Sequence, residues 1–531
     1  MPGAGHKTYR DTMTEQQRFE KLYASFSVDG KLIHAYDLLK RAAHLWPQRT
    51  MVICDDDSLT YREVYLRSKL LAHKLREYGV RKDERVILYY ENSVSFYIAY
   101  FAVWHAGGIV IPLNVFLSEK ELFQIIAEAQ PKILIVSPTL LEKLEKYPNG
   151  PLPPLISDID TTSPLPKAVD PFDTEEEPQS LSGDDIVAIL YTSGTTGFPK
   201  GVMVSSKNIV TNTLQGVSAF EVAKNERVFC PLPLFHSLPQ NICVWAIMVV
   251  GATAIIVPKI DRRSLIKGIE HKPTLIIAVP ALFGLFCILK NLQFPDVKYF
   301  VSGGDALSDK IRGFFGLIYG RKIGNGYGLT ETSPFISVDL DDVTTPVGCV
   351  GKALPGITCA IKDERGATLP VGEIGTLWVS GDNLMKGYYN APEATAHIIE
   401  QGWLNTGDLA YLTKEGKIVL AGRERELISN KGLKIYPQEV ENVLLSYPAV
   451  LQAGVIGIKN NDEEIPIAFI GTKEPEANYE EIITALRSLC QRNLAPYKIP
   501  RQFYLQRDLP VTSTGKVNKK ELLAQHSTKD T

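Results

Sequence analysis

The chain has 531 residues, of which 45% are apolar and 22% are charged, and its formal net charge is −3. This length exceeds what one hydrophobic core usually holds, so we expect at least two domains. The nearly balanced charge excludes a bulk electrostatic attraction to nucleic acid, and no nucleic-acid partner is expected. The seven cysteines are scattered and form no C-x-x-C pair, which argues against a disulfide framework or a zinc site and favours a cytoplasmic localisation.

Strand and helix patterns alternate over the first part of the chain. Residues 1–18 are polar and of mixed charge, unlike a signal or transit peptide, and an amphipathic helix is predicted near residues 36–45. The capping-box patterns at Thr60 and Ser118 predict two further helix starts. Short apolar runs predict strands at residues 51–54, 85–90, 109–112 and 133–136. Strands separated by helices at this spacing are typical of a parallel sheet with crossover helices.

A second α/β region follows an irregular segment. Residues 148–184 are rich in Pro, Asp, Glu, Ser and Thr, which predicts a surface linker between two lobes. The uncharged run 237–258 contains Pro, Gln, Asn and Gly, so a buried helix followed by a strand is favoured over a membrane span. Short strands with glycine turns predict a small β subdomain over residues 335–420. Further strands are predicted near residues 252–257, 275–279 and 297–301.

The last part of the chain reads as a compact α+β unit of roughly 100 residues. Pro437 predicts a helix start, because proline fits the first helical turn. Strands at residues 452–458 and 466–471 and a helix at 479–493 follow. The expected fold class is therefore α/β. A large N-terminal domain, residues 1–424, would contain two doubly wound α/β lobes and the β subdomain, and residues 425–531 would form a mobile α+β C-terminal domain.

The segment Tyr191-Thr-Ser-Gly-Thr-Thr-Gly-Phe-Pro-Lys-Gly201 follows an apolar run that predicts a buried strand. Glycines, hydroxyl side chains and a lysine after a strand are typical of an anion-binding loop, because backbone N–H groups, hydroxyls and an ammonium can all point at one anion. The loop is not a Walker A motif, since Lys200 is followed by Gly201. The alternative is a solvated linker. The predicted phosphate ligands are Thr192, Ser193, Gly194, Thr195, Thr196, Gly197 and Lys200.

This loop resembles the signature loop of the adenylate-forming superfamily, which includes acyl-CoA synthetases, aryl-CoA ligases, luciferases and the adenylation domains of peptide synthetases. The family's other motifs occur in its order over nearly all of residues 30–525. The resemblance implies that a carboxylate attacks the α-phosphorus of ATP, and that a thiol then displaces AMP from the acyl-adenylate. It implies ATP and Mg²⁺ in the first step, and CoA or the phosphopantetheine of an acyl carrier protein as acceptor in the second.

A Gly-Tyr-Gly motif predicts the nucleotide site. Tyr327 can stack on a purine, Thr330 can reach a phosphate, and Glu331 can bind Mg²⁺, which uses few carboxylates together with substrate phosphates. The alternative for this segment is an ordinary strand–turn–helix junction. Asp408 follows a Thr-Gly turn, and the resemblance assigns it to the ribose hydroxyls and Arg423 to ribose or phosphate. Besides the loop, the predicted nucleotide contacts are Gly304, Asp305, Asn325, Gly326, Tyr327, Gly328, Thr330, Asp408, Arg423 and Lys516.

His236 lies among apolar residues and would by itself be interpreted as a core histidine. The resemblance implies that it lines the acyl pocket and faces the reacting carboxylate. Many long-chain members of the family have an aromatic gate four residues later, where this chain has Gln240. Paired glycines after a strand leave backbone exposed to an adenine or acyl ligand. The predicted acyl pocket comprises Phe235, His236, Gln240, Trp245, Gly303 and Gly304.

The resemblance also implies roles for residues of the C-terminal domain. Arg425 is the implied hinge, and Lys431, Gly432 and Leu433 are the implied contacts of the thiol arm. Lys516 would bridge the carboxylate and the α-phosphate, although without the resemblance it would be interpreted as a solvated loop lysine. The predicted catalytic residues are Lys516, His236, Thr192 and Glu331. The predicted Mg²⁺ ligands are Thr192 and Glu331.

A fatty acid is the expected substrate, because the predicted pocket offers no charge for a polar tail and no Asp that an amino acid would need. Residues 482–520 contain eight basic and one acidic side chain. This basic stretch suits the phosphates of CoA and equally an acidic acyl carrier protein, so transfer to the carrier protein remains an alternative, as does aryl-CoA ligation. A non-catalytic nucleotide-binding protein and a luciferase-type oxygenase would share the motifs. Monomer or homodimer, and peripheral membrane contact, are left open.

Overall fold

The computed structural model describes residues 13–148, 150–165, 181–192, 198–220, 225–289, 292–340, 345–430, 433–460, 463–511 and 517–527. Much of the predicted linker falls outside these ranges. The predicted ligands that lie outside the described residues are Ser193, Gly194, Thr195, Thr196, Gly197, Lys431, Gly432 and Lys516. Their assigned roles therefore stay predictions.

The first part of the chain folds as alternating helices and strands, as predicted. Its elements are α1 Glu15–Ser25, β1 Ser27–Val28, β2 Lys31–Leu32, α2 Ala35–Leu45, β3 Thr50–Cys54, β4 Asp57–Thr60, α3 Tyr61–Glu77, β5 Arg85–Tyr89, α4 Val94–His105, β6 Ile109–Pro112, α5 Glu119–Ala129, β7 Ile133–Val136 and β8 Leu155–Ile156. Both predicted capping boxes are present. Thr60 Oγ1 accepts from the backbone N–H of Glu63, and Ser118 Oγ accepts from that of Glu121. These bonds satisfy N–H groups that a helix start leaves without a partner.

The middle part continues the alternation. Its elements are β9 Ile186–Thr192, β10 Lys200–Ser205, α6 Ser206–Ala219, β11 Arg227–Phe229, α7 Ser237–Pro239, a π-helical segment Gln240–Ala246, α8 Ile247–Val250, β12 Thr253–Ile256, α9 Arg262–Glu270, β13 Leu275–Ala278, α10 Pro280–Ile288, β14 Tyr299–Ser302, α11 Asp309–Tyr319, β15 Ile323–Gly328 and β16 Phe335–Asp339. The uncharged run forms a buried helix and then a strand, as expected. Among the helices in the described ranges, none has the length and apolar character to cross a bilayer.

The remaining elements are mostly strands up to residue 435. They are β17 Cys349–Ala353, β18 Thr358–Lys362, β19 Gly375–Ser380, β20 Gly387–Tyr388, α12 Pro392–Ile398, β21 Ile399–Glu400, β22 Trp403–Leu412, β23 Ile418–Arg423, β24 Ile428–Asn430, β25 Leu433–Ile435, α13 Pro437–Leu445, β26 Gln452–Asn460, β27 Glu463–Gly471, α14 Tyr479–Asn493, β28 Gln502–Gln506 and α15 Lys519–Ser527. The smaller C-terminal part has its own sheet, β26-β27-β28, and its own apolar core.

Two large sheets form the N-terminal part. The first has the order β20-β10-β9-β6-β5-β7-β8, and β5 pairs parallel with both β6 and β7. The second has the order β18-β19-β22-β23-β17-β16-β15-β14-β13-β11-β12-β3-β4, with β21 on β22. Its parallel centre includes β3, which pairs with β12. Most strands of the predicted β subdomain extend this second sheet, because β16 folds back antiparallel on β15 and β17 continues from it.

Helices α4 and α6 lie between the two sheets. Helix α4 contacts β5 and β6 of one sheet and β3 and β4 of the other, so it is apolar on all sides. Helix α6 is also buried but carries amides that bind the backbone of the second sheet. Asn212 accepts from the N–H of Phe335 and donates to its carbonyl, both at 2.9 Å. These amide bonds fix the start of β16 to helix α6.

Candidate active site

The ends of the glycine-rich loop meet two residues from distant segments. Thr192 and Lys200 lie opposite each other on β9 and β10. Strand β20 pairs with β10 and places Tyr388 beside them, with Lys200 Nζ 5.1 Å from the centre of the Tyr388 ring. The Tyr388 hydroxyl donates to Glu331 Oε1 at 2.8 Å. The structure therefore brings the predicted residues Thr192, Lys200 and Glu331 to one place, which we call the phosphate-side cluster.

Tyr388 was missed by the sequence analysis. Burial raises the pKa of Tyr388, and the nearby Glu331 carboxylate raises it further, so the hydroxyl keeps its proton and acts as a donor. The bond orients the Glu331 carboxylate. The only local signal was a Gly-Tyr-Tyr turn among short strands, which is too common to indicate a site. Pairing with β10 is what makes this tyrosine part of the cluster.

The cluster fits a Mg²⁺ ion that is held mainly by substrate. Thr192 offers a hydroxyl and Glu331 a carboxylate, which are hard oxygen ligands. Over the described ranges, no group of three or more His, Cys, Asp or Glu side chains could hold a metal by itself. Mg²⁺ in nucleotide sites is usually bound by one or two carboxylates together with phosphates and water. The donor set is therefore of the type that binds Mg²⁺ with a nucleotide.

A second cluster joins Tyr327, Asp408 and Arg423. Asp408 and Arg423 lie opposite each other on β22 and β23, and Arg423 Nε donates to Asp408 Oδ1 at 2.7 Å. The Tyr327 hydroxyl donates to Asp408 Oδ2 at 2.5 Å. Burial and, after it, the Asp408 charge raise the pKa of Tyr327. The carboxylate is buried and each of its oxygens accepts one hydrogen bond, so the orientation of the Asp408 side chain is fixed beside Tyr327. We call these three residues the nucleoside-side cluster.

The turn between β15 and β16 connects the two clusters. Asn325 is buried, and its amide donates to Cys349 O at 2.9 Å, which joins β15 to β17 near this turn. Gly328 must be glycine, because a Cβ there would lie 1.8 Å from Pro334 O. Thr330 Oγ1 lies 3.3 Å from Ser237 Oγ, at the start of α7. This contact joins the phosphate-side cluster to the predicted acyl pocket.

The predicted pocket residues lie on both sides of α7 in the chain and in the loop after β14. The His236 ring is half-buried and 4.4 Å from the Phe235 ring. Gly303 allows the loop after β14 to approach α7, since a Cβ there would lie 3.2 Å from Leu238 Cδ2. Gly304 follows it with φ +80°, and the neighbouring Asp305 carboxylate accepts from the Ala306 N–H at 2.8 Å.

Gln240 and Trp245 belong to the π-helical segment and are fully buried. The Tyr100 hydroxyl links them, because it donates to Gln240 Oε1 at 3.1 Å and accepts from Trp245 Nε1 at 3.2 Å. Trp245 is therefore part of the core behind Gln240. Gln240 Nε2 and Asn241 Oδ1 are buried and have no hydrogen-bond partner among the residues that the structure describes. Such groups are costly unless a ligand or water binds them.

A small cavity of about 20 Å³ lies beyond Asn241, between α6 and the π-helical segment. It has space for roughly one water molecule. The described residues that line it include no charged side chain. The lining residues are Gly216, Val217, Phe220, Val228, Asn241, Ile242, Ala246, Ile247, Val250, Ala252, Leu275, Ile277 and Phe335.

The implied hinge Arg425 lies in the turn after β23. Burial lowers the pKa of Arg425, and the adjacent Arg423 charge lowers it further. Next to it, Glu426 accepts from Lys519 Nζ at 2.6 Å, and Glu441 accepts from the same ammonium at 2.8 Å. Lys519 lies three residues after Lys516, so this half-buried ion triad connects the segment after the lysine loop to the turn that contains the implied hinge.

Side chains of the N-terminal part also bind the C-terminal domain. Lys310 Nζ, at the start of α11, donates to the carbonyls of Tyr447 at 3.4 Å, Pro448 at 3.0 Å and Val450 at 2.6 Å. These carbonyls follow the carboxyl end of α13, where a helix dipole favours a cation. On β25, Leu433 is 47% exposed, and its neighbour Lys434 pairs with Glu364 at 2.7 Å.

Comparison with known proteins places this geometry in a family. The profile of the AMP-binding enzyme family matches residues 39–389, and that of the AMP-binding enzyme C-terminal domain matches residues 439–516. The chain belongs to the AMP-binding enzyme family. The predicted resemblance to adenylate-forming enzymes is thereby confirmed.

Several relatives of this AMP-binding enzyme align over most of both chains. A long-chain-fatty-acid–CoA ligase of Bacillus subtilis (strain 168) is 30% identical over 530 residues, covering 92% of this chain and 94% of that protein. The 4-coumarate–CoA ligase CCL1 of Humulus lupulus is 29% identical over 506 residues, covering 88% and 89%. The o-succinylbenzoate coenzyme A synthetase of Bacillus subtilis in complex with ATP and magnesium ion superposes with a TM-score of 0.80 at 27% identity, covering 92% and 99%. The predicted α/β fold with a larger N-terminal and a smaller C-terminal domain is confirmed.

Proposed function

We propose that this AMP-binding enzyme is an AMP-forming ligase that joins a fatty acid to coenzyme A. In the first step a carboxylate oxygen bonds to the α-phosphorus of ATP and pyrophosphate leaves. In the second step the thiol sulfur bonds to the acyl carbon and AMP leaves. The observation that carries the proposal is the 3.3 Å contact between Ser237 and Thr330, because these residues are next to His236 and Glu331 in the chain and so join the predicted acyl pocket to the phosphate-side cluster.

Each cluster has a proposed task in the first step. Residues 192–200 would hold the β- and γ-phosphates. Thr192 and Glu331 would hold a Mg²⁺ ion, which would supply positive charge to the phosphates. Tyr327 and Asp408 hold the nucleoside. His236 lies beside the carboxylate, and Lys516 stabilises the charge that develops on the α-phosphate. These tasks are positioning and electrostatic stabilisation, which are the main contributions of a protein to transfer at phosphorus.

The second step requires a different arrangement of the C-terminal domain. Lys516 must leave the site, and we propose that the domain rotates about Arg425 and presents the face formed by residues 429–435, with Lys431, Gly432 and Leu433 along the thiol arm. The rotation would have to break the bonds from Lys310 to the loop after α13.

A fatty acid is favoured because residues 237–258, which directly follow His236, carry no charge. Phe235, next to His236, is buried, and the small cavity beyond Asn241, which has space for only about one water molecule, is lined almost entirely by apolar side chains. A charged or strongly polar tail would lose hydration without compensation. The long-chain-fatty-acid–CoA ligase of Bacillus subtilis supports the same substrate class.

A hydroxylated aromatic acid is the second candidate. Gln240 Nε2 is a buried donor and Asn241 Oδ1 is a buried acceptor, and neither has a hydrogen-bond partner within the described ranges. A phenolic hydroxyl can both accept and donate a hydrogen bond, so it could satisfy both groups. The 4-coumarate–CoA ligase among the relatives is in line with this candidate.

The substrate class is tested by incubating the full chain with ATP, Mg²⁺ and one acid at a time, with either CoA or an acyl carrier protein as acceptor. We expect thioester with CoA and fatty acids, peaking at one chain length. A peak with hydroxylated aromatic acids would favour the second candidate. Thioester on the carrier protein alone would overturn CoA as acceptor. No AMP or pyrophosphate with any acid would overturn ligase activity.

The division of labour is tested with Lys516→Ala and with Lys520→Ala, a change of an exposed lysine nearby, as control. Lys516→Ala should abolish formation of acyl-adenylate but spare thioester formation from supplied acyl-adenylate. Lys520→Ala should leave both steps within about twofold, as exposed substitutions usually do. Equal loss of both steps in Lys516→Ala would contradict the assignment.

A further inference from the structure

The inner face of helix α11 packs closely against the core. Phe315 is fully buried, and its ring centre lies 5.5 Å from that of Phe283 and 4.9 Å from that of Phe300. At the carboxyl end the Tyr319 hydroxyl donates to Phe286 O, in α10, at 2.6 Å. An ordinary surface helix has its apolar residues on this inner face and polar residues on its outer face.

The outer face of α11 is apolar as well. Phe314 is 52% exposed, Leu317 is 83% exposed and Ile318 is 37% exposed. Their spacing of three and four residues places them on one side of the helix. Surface helices normally carry polar side chains there. Over the part of the chain that the structure describes, every other helix has at most one large apolar side chain exposed.

Helix α10 extends this surface. Gly284, in the middle of α10, lies next to Ile311, near the start of α11, and Tyr319, at the end of α11, binds the carboxyl end of α10. The two helices therefore run parallel. Ile288 follows one turn after Gly284 and is 72% exposed. We call Ile288, Phe314, Leu317 and Ile318 the α10–α11 patch. A patch of adjoining apolar side chains marks an interaction site more often than single exposed ones do.

The charge around the patch is positive, although the whole chain is slightly acidic. Residues 309–322 contain four basic side chains, Lys310, Arg312, Arg321 and Lys322, and one acidic side chain, Asp309. The Arg321 guanidinium lies over the Phe300 ring at 5.3 Å and donates to Lys298 O at 3.2 Å, which holds it at the end of α11. A second copy of the chain would bring the same positive charges face to face, which disfavours a symmetric dimer here. Anionic headgroups would complement them.

We infer that the α10–α11 patch docks on an anionic lipid bilayer. Its apolar side chains enter the boundary between headgroups and acyl chains, and the flanking Arg312, Arg321 and Lys322 face the phosphates. Lys310 is not counted among them, because its ammonium binds carbonyls of the C-terminal domain. The biological use rests on the proposed function, because a fatty acid partitions into bilayers. Helix α11 directly follows the Gly303-Gly304 loop, and Leu317 lies roughly 12 Å along the helix from Asp309. Docking would therefore bring the proposed acyl site close to where its substrate is dissolved.

The test is sedimentation of the full chain with vesicles of phosphatidylcholine alone or with added phosphatidylglycerol, without ATP or acid. We expect binding to the anionic vesicles that decreases at high salt. Leu317→Glu should weaken it about tenfold or more, because burying one leucine is worth at least one factor of ten. Leu70→Glu is the matched control, since Leu70 is a 54% exposed leucine on α3, away from the patch, and should bind like the unchanged chain.

The outcomes separate the inference from the proposed function. Equal binding of the unchanged chain and Leu317→Glu, or no binding at all, would overturn the lipid surface. So would a dimer in solution that Leu317→Glu alone dissociates, since a second copy would then occupy the patch. Ligase activity on an acid kept soluble is measured separately in the same variants. It should be unchanged in Leu317→Glu, and its absence in the unchanged chain would overturn the proposed function without bearing on vesicle binding.

Discussion

Asp408→Asn tests the nucleoside-side cluster most directly. In the structure the two carboxylate oxygens accept from Tyr327 at 2.5 Å and from Arg423 at 2.7 Å. Asparagine keeps one acceptor oxygen and the size of the side chain but loses the charge and one acceptor. A hydrogen bond to a charged group is worth about 1.5–3 kcal/mol. If the carboxylate binds the ribose, kcat/KM for ATP should fall roughly 10- to 150-fold.

The assay is ATP–pyrophosphate exchange with ATP varied and the acid saturating. Asp382→Asn is the control, because Asp382 is an exposed aspartate whose partner is Lys207, at 2.8 Å. It should stay within about twofold, as surface pairs contribute little. If folded Asp408→Asn retains kcat/KM for ATP within the same range as Asp382→Asn, the Asp408 carboxylate does not bind the ribose.

Tyr327→Phe then separates direct from indirect action of the carboxylate. It removes the donor to Asp408 but keeps the ring that is predicted to stack on the purine. We expect a smaller loss of kcat/KM than in Asp408→Asn, since the carboxylate remains. An equal loss in both variants would mean that the carboxylate acts by holding Tyr327, and its assignment to the ribose would be wrong.

Three further predictions concern pH, the domain interface and the turn after β15. Burial lowers the pKa of His34 to about 4, although Asp185 opposes the shift, so the unfolded chain binds a proton first as pH falls. The free energy of unfolding should therefore fall by up to about 3 kcal/mol as the pH drops from the ordinary histidine range to pH 4. In His34→Asn the melting temperature should depend less steeply on pH over this range. Equal slopes for the two proteins would contradict the prediction. Lys310→Met removes three hydrogen bonds to the C-terminal domain and should change the rates of the adenylation and thioester steps by unequal factors. The control Lys473→Met, at an exposed site, should change neither rate. Equal factors for Lys310→Met would count against a role in domain orientation. Gly328→Ala would place a Cβ 1.8 Å from Pro334 O and should destabilise the protein by about 2 kcal/mol or more, while Gly313→Ala, with open space around it, should not lower the melting temperature; equal melting temperatures would refute the close approach.

The local structure of this chain could be predicted from its sequence, because the signals are local. Alternating apolar runs and capping boxes placed the strands and helices of the first lobe, and Thr60 and Ser118 make the predicted capping bonds. The glycine-rich loop, the Gly-Tyr-Gly motif and the C-terminal unit together indicated the family, since each combines residue types that nucleotide chemistry needs in a short segment. These interpretations depend on neighbours within a few residues.

The pairing of distant segments could only be seen in the tertiary structure. Strand β3 belongs to the second sheet although most of its sequence neighbours form the first, and β20 carries Tyr388 to Lys200 and Glu331 from a turn with no distinctive pattern. The double hold on Asp408 and the exposure of Leu317 are equally invisible in the sequence. The physical reason is that register and burial depend on the packing of whole sheets and helices, so the same tyrosine, aspartate or leucine has a different role according to what the fold places beside it.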